Sequence, residues 1–264
     1  FWYYIPKSHI KQRCLLLWLF TDGVKSPCGF AGKRGMMMAE RRFKGAITER
    51  EDEGTMTGEA QISEYLDILS SKAPVPGGGG ASALAGALGD SLGQMVVHLT
   101  LGKKKYAQVQ DEMLEYESHL KRLQEEFLVL ADRDAEVFAP LAECYRLLDV
   151  TEEEKAYKEK IMEERLRNAS FVPLEIMEKA VEMLGILEEL SYKGSVMAVS
   201  DVGVGVQFAR TALLGAVMNV YINTRSMKNR QKAEELNGEA ERLAKEGTLQ
   251  ADRIYENVLK KLRG

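Results

Sequence analysis

The chain has 264 residues, 45% of them hydrophobic and 29% charged, with a formal net charge of -4 and a pI near 5.7, which is enough apolar side chain for a large core in a soluble globular protein. The acidic balance argues against a general nucleic-acid binder, which presents a basic surface to phosphates. Three cysteines, Cys14, Cys28 and Cys144, are too few and too scattered for a disulfide framework or a zinc site, so a reducing, cytoplasmic setting without a bound metal is expected.

The longest apolar run, Cys14 to Phe20, is far short of the roughly 20 residues that cross a bilayer, and no membrane partner is expected. It follows Lys11, Gln12 and Arg13, but lacks the small-residue cleavage site of a secretory signal. Residues 1 to 55 hold no sustained period of 3.6 or 2, and the chain opens on Phe1, with Met36, Met37, Met38 and Met56 as plausible starts. Residues 1–56 are therefore expected to be a non-core N-terminal extension, either upstream read-through or a disordered tail, and residues 57–264 the folded domain.

The first helix is expected from Ile62, with Tyr65, Leu66 and Leu69 on one face and Pro74 and Pro76 as stops. Gly77 to Gly80 precede a second segment, Ala81 to Leu101, built largely of Ala, Gly, Ser and Leu; such small side chains let neighbouring backbones approach, as in the centre of a bundle. Asp90, Gln94 and His98 interrupt that segment and argue against a membrane helix. A long third helix is expected to about Leu148, bent or broken near Pro140. A fourth opens on the Thr151 to Glu154 capping box and runs to about Tyr192, with a break at Pro173. The fifth covers about Ser195 to Met227 and the sixth Ala233 to Leu262. With no strand-like alternation in this span, the fold class is all-α, a bundle of about six helices.

The apolar stripe of the third helix is Leu120, Leu123, Phe127, Leu130, position 134, Val137 and Leu141, and position 134 is Asp. A carboxylate there is costly unless paired or hydrogen-bonded, and desolvation moves its pKa toward values useful for proton transfer. Asp134 is thus the candidate general acid/base, against the equal alternative of a structural Asp bonded across the bundle. Asp132 falls nearly on the opposite side, facing solvent or a neighbouring helix end.

On the fifth helix Asp201, Gly205, Ala212, Gly215, Asn219 and Asn223 form a strip of small and polar residues. This pattern fits a ligand pocket or, more commonly, a close helix crossing at a subunit interface. Gly77, Gly78, Gly79 and Gly80 before a helix can aim backbone N–H groups at an anion, although a flexible turn is the commoner reason for such a run. Lys103, Lys104 and Lys105 can draw a polyanionic ligand or simply be solvated. His98 reads as a core residue and His119 as water-facing, and no metal-ligand spacing is present.

Together these residues resemble a family. Pro76-Gly77-Gly78-Gly79, Leu101-Gly102-Lys103-Lys104-Lys105-Tyr106, Asp134-Ala135-Glu136-Val137-Phe138, Val172-Pro173-Leu174, Ser200-Asp201-Val202-Gly203-Val204 and Asn219-Val220-Tyr221-Ile222-Asn223 occur in the order seen in the cyclodeaminase/cyclohydrolase family. That family comprises the cyclodeaminase domain of formiminotransferase-cyclodeaminase and free-standing methenyltetrahydrofolate cyclohydrolases. The resemblance spans residues 57 to 264 and implies a homodimeric helical bundle acting on tetrahydrofolate derivatives, with no cofactor beyond that substrate. It implies Asp134 as proton donor and acceptor. Gly77, Gly78, Gly79, Lys103, Lys104, Asp201, Asn219 and Asn223 become the substrate-binding candidates. The chain departs from many relatives at Gly80 (Ser), Leu148-Asp149 (Pro-Lys), Ser195 (Asn) and Asn229 (Asp).

Nothing in residues 1 to 55 resembles a formiminotransferase domain, so hydrolysis of 5,10-methenyltetrahydrofolate to 10-formyltetrahydrofolate is the leading expectation. Formiminotetrahydrofolate cyclodeaminase, releasing ammonia, is the alternative enzyme. A non-catalytic folate-binding or scaffold dimer is the alternative of another class.

Overall fold

Small residues at helical spacing and long apolar stripes build six α-helices in residues 56–264, the part of the chain that the computed structural model describes: α1 (Ile62–Leu69), α2 (Gly78–His98), α3 (Gln110–Cys144), α4 (Glu152–Lys193), α5 (Val199–Ser226) and α6 (Arg230–Arg263). Two 3-10 segments, Lys104–Val109 with a kink at Tyr106 and the single turn Val196–Ala198, lead into α3 and α5. No strand occurs among the described residues. The non-core extension expected over residues 1–56 lies, apart from Met56, outside the described residues.

The third-helix stripe forms the core as the periodicity indicates, with Leu120, Leu123 and Phe127 wholly buried and Leu130 and Leu141 nearly so. The α4 cap is a complete capping box: Glu154 N donates to Thr151 Oγ1 (3.1 Å) and Thr151 N to Glu154 Oε2 (2.9 Å). Asn229 caps α6 by accepting from Lys232 N at 3.0 Å, a role that Asn fills as well as Asp.

Neither proline breaks its helix. Pro140 lies within α3 and Pro173 within α4. A helical proline removes the N–H that would bond the carbonyl four residues back. For Pro173 that carbonyl belongs to Ala169, which accepts instead from Asn223 Nδ2 on α5 at 2.9 Å. For Pro140 it belongs to Glu136, an exposed residue where water can serve.

α5 packs on α2, α4 and α6, with α3 covering α2 and α4. The small-residue strip on α5 is a helix crossing inside one chain, which corrects the expectation of a subunit interface. A Cβ added at Gly89 of α2 would stand 2.9 Å from the Gly205 carbonyl oxygen, and one at Gly215 would overlap Ser82 Oγ. Because Gly89 meets Gly205 while Ser82 meets Gly215, α2 and α5 run antiparallel. Residues at the start of α2 therefore share one end of the bundle with those late in α5.

Candidate active site

The helix that begins at Gly78 starts three residues earlier than the apolar pattern places it, inside the glycine run. The cause is Asp134. Its Oδ2 accepts from Gly80 N at 3.0 Å, and a Cβ at Gly79 would overlap its carboxyl group. The anion that this helix N-terminus receives is thus a carboxylate of the protein itself, brought across from α3. Positive helix-end dipole and a charged hydrogen bond both favour the ionised form. Burial opposes them and is the larger effect, so the carboxyl is pushed above the ordinary aspartate range, with the Gly80 hydrogen bond pulling the other way. Asp134 Oδ1 accepts no hydrogen bond from the described residues, which leaves it to meet a ligand.

Asp134 lines a cavity of about 110 Å³ whose other walls include Gly77 and Gly78, Val137 and Phe138 of α3, Ala169 of α4, and Asn219, Ile222 and Asn223 of α5. The Asn219 side chain lies against Gly78, about 3.5 Å from where a Cβ there would stand, and donates through Nδ2 to the Gly215 carbonyl at 3.0 Å. Its Oδ1 is the acceptor it offers the cavity. Asn223, nearly buried, spends its Nδ2 on Ala169. The site is one half-buried carboxylate between amide groups and apolar surface, an arrangement suited to moving a proton at a flat, partly apolar substrate.

Of the substrate-binding candidates, Gly77, Gly78, Asn219 and Asn223 line the cavity, and Gly79 abuts Asp134. Lys103, Lys104 and Asp201 do not join them. The 21 residues of α2 span roughly 30 Å at 1.5 Å per residue, which puts Lys103 and Lys104 beyond the far end. There Lys103 Nζ approaches Ser195 Oγ at 3.5 Å and Val196 N donates to the Tyr106 hydroxyl at 3.0 Å. Asp201 sits in the first turn of α5, where the helix dipole stabilises it, and that turn is at the same far end.

Two other expectations are corrected. Asp132 accepts from Thr57 through both N (2.8 Å) and Oγ1 (2.6 Å), so it ties down the segment before α1. His98 is exposed and lies 3.1 Å from Glu117. Sequence reasoning passed over Tyr65, Phe138 and Ile222 as site residues, because each sits in an apolar pattern that a core explains equally well. No helix among the described residues is long and apolar enough to cross a membrane, and they contain no cluster of His, Cys, Asp or Glu fit for a metal ion.

Residues 61–242 match the family model for formiminotransferase-cyclodeaminase. The chain is 37% identical over 207 residues to a methenyltetrahydrofolate cyclohydrolase of Methylorubrum extorquens, a match covering 78% of this chain and 100% of that protein. It is 27% identical over 197 residues to the formimidoyltransferase-cyclodeaminase of Gallus gallus, covering 75% of this chain and 36% of that protein. The corresponding mouse protein is 29% identical over 169 residues and is covered to 31%, so the chain spans about a third of these longer relatives. The fold is that of the crystal structure of formiminotetrahydrofolate cyclodeaminase from Thermotoga maritima, with a TM-score of 0.67 at 24% identity over 78% of this chain and 98% of that one.

Proposed function

The chain belongs to the formiminotransferase-cyclodeaminase family, and from that premise we propose that it hydrolyses 5,10-methenyltetrahydrofolate to 10-formyltetrahydrofolate with Asp134 as general acid and base. The observation that carries this reading is the Asp134 carboxylate, held at the cavity by Gly80 N with its second oxygen unclaimed. The full-length match to a methenyltetrahydrofolate cyclohydrolase supports the choice of reaction.

In the proposed reaction water adds to the cationic methenyl carbon between N5 and N10. Asp134, ionised, takes the proton of that water as the C–O bond forms. It returns that proton to N5 as the C–N5 bond breaks, while the remaining hydroxyl proton passes to solvent as the C=O bond forms, leaving the formyl group on N10, a neutral N5–H and one proton released overall. Burial raises the Asp134 carboxyl above the ordinary aspartate range, the direction that makes it a better acceptor of the water proton than a solvated aspartate would be. Phe138, Val137 and Ile222 offer apolar surface to a pterin face, and Asn219 offers hydrogen bonds to its edge.

A second reading, formiminotetrahydrofolate cyclodeaminase, is favoured by the matches to formimidoyltransferase-cyclodeaminases. There N10 attacks the formimino carbon, and Asp134 takes the N10 proton and passes it to the formimino nitrogen, which leaves as ammonia when its C–N bond breaks. Under either reading the enzyme is a cytoplasmic homodimer with no cofactor beyond its folate substrate. Exposed apolar side chains on α2 (Leu88, Met95) and α5 (Val204, Met218) support the dimer as surface that a second copy would cover.

The test follows the methenyl chromophore with purified protein. Its loss faster than the spontaneous rate supports the hydrolase, and its appearance from 5-formimino substrate supports the cyclodeaminase. Folate binding with neither rate above background would instead support a non-catalytic folate-binding or scaffold dimer.

A further inference from the structure

The cavity beside Asp134 takes in about one turn of each helix, from Asp134 to Phe138 on α3, Ala169 on α4 and Asn219 to Asn223 on α5, which is roughly 6 Å along the bundle. A folate is a flat pterin joined through an aryl ring to a glutamyl tail, so its pterin end fills such a space and the remainder must leave it. The α1 side is closed by Tyr65, the one buried residue of that helix, whose hydroxyl stands 3.5 Å from where a Cβ on Gly80 would be. The other direction runs past the start of α2. Asn219 lies against Gly78 there, and α5 continues to Ser226 while α3 continues from Asp134 to Cys144, each roughly 10 Å or more at 1.5 Å per residue.

α4 brings a cation to that stretch. Lys158, Arg165 and Ala169 fall on one face of the helix. Ala169 lines the cavity, and Lys158 reaches the connection between α3 and α4, where its Nζ donates to the Leu147 carbonyl at 2.8 Å and to Asp149 Oδ2 at 3.1 Å. Arg165 stands between them. Three arginines among the described residues are half-buried, Arg133, Arg165 and Arg210. Arg133 pairs with Glu175 at 2.8 Å and Arg210 faces Asp252 at 3.5 Å, whereas Arg165 makes no hydrogen bond or ion pair with the described residues. A guanidinium drawn partly out of water without an acceptor loses hydration with no return, unless an anion arrives to meet it.

We propose that Arg165 binds the carboxylates of the substrate's glutamyl tail and thereby selects folates over pterins that lack it. A helical side chain leans toward the N-terminus of its helix, so the guanidinium points from Ala169 toward Lys158, away from Asp134 and along the path the tail takes. Its planar fork matches a carboxylate with two parallel hydrogen bonds. Asp149 already holds Lys158, which leaves Arg165 as the unengaged cation of this face. The inference rests on the reading that the substrate is a folate with its reacting carbon at Asp134.

The test is calorimetric titration of the full chain, unsubstituted and as Arg165→Gln, with two probes. One is 5-formyltetrahydrofolate; the other is its counterpart with an N-methylamide in place of the glutamyl tail and both tail carboxylates. Arg165→Gln is expected to weaken the first about tenfold or more and to leave the second unchanged, which also shows that the variant is folded. Arg165→Lys keeps the charge without the fork and should recover part of the loss. Equal weakening of both probes, or of neither, overturns the proposal, as does equal affinity of the unsubstituted protein for the two. If neither probe binds the unsubstituted protein, the folate reading falls and the role of Arg165 with it. If binding depends on Arg165 as expected but the methenyl chromophore is lost no faster than spontaneously, the proposed reaction falls while the role of Arg165 stands.

Discussion

Asn223 Nδ2 donates to the Ala169 carbonyl at 2.9 Å, the carbonyl that Pro173 leaves without its helical N–H. The pair joins α5 to α4 at the cavity wall and lets a proline sit inside a 42-residue helix. Asn223→Ala should cost about 1 to 3 kcal/mol by leaving that buried carbonyl unsatisfied. Pro173→Ala restores the N–H, so in that background Asn223→Ala should cost measurably less. A double-mutant cycle by chemical denaturation checks this, and strict additivity of the two changes would refute the coupling.

Gly79 has no room for a side chain, since a Cβ there overlaps the Asp134 carboxyl group. Gly79→Ala is expected to push Asp134 off Gly80 N and reduce turnover at least tenfold, in line with the sensitivity of catalysis to small misplacements, while helicity by circular dichroism is retained. Gly185→Ala is the control. It lies within α4 with nothing inside 4 Å of its Cβ position, so it should stabilise the protein by about 0.5 to 1 kcal/mol.

Asp90 sets a pH dependence of stability. It is fully buried, Gln94 Nε2 donates to its Oδ1 at 2.8 Å, and burial pushes its carboxyl up to about 7, with the Gln94 bond pulling down. The folded protein therefore holds this proton more tightly than the unfolded chain, whose Asp titrates near 3.8. Its contribution is most favourable below about pH 4, declines as pH rises toward 7, and is fully lost above that. The swing is at most on the order of 4 kcal/mol. Asp90→Asn should flatten the Asp90 part of the profile and raise the melting temperature at pH 8 more than at pH 5. Equal shifts at both pH values would show that Asp90 does not titrate in this window.

What the sequence made legible was local. Helix periods, the Thr151 cap and an aspartate on the α3 stripe can each be read within a few turns of chain. What it hid was tertiary. Pro173 reads as a break because the group that relieves it, Asn223, lies on another helix. Tyr65 reads as one more apolar contact because only the fold reveals its hydroxyl to be buried. The separation of Lys103, Lys104 and Asp201 from Asp134 follows from the length of α2 and its antiparallel pairing with α5, and the pairing is not written in either segment alone.

The sharpest test of the site compares the two carboxylates two residues apart on α3. Asp134→Asn keeps the size of the side chain and, through its Oδ1, the acceptor for Gly80 N, so the helix N-terminus should remain satisfied and the fold intact. It cannot exchange a proton. A loss in kcat of roughly 100-fold or more with little change in substrate affinity is therefore expected. Asp132→Asn also keeps an acceptor for Thr57, and its effect should be confined to a small loss of stability as the charged bonds become neutral ones. Steady-state kinetics and denaturant titrations on both variants check the pair. If Asp132→Asn is the dead enzyme and Asp134→Asn turns over normally, the acid/base group is the carboxylate held by Thr57. Full activity in both would move the proton transfer to a group outside this stretch of α3.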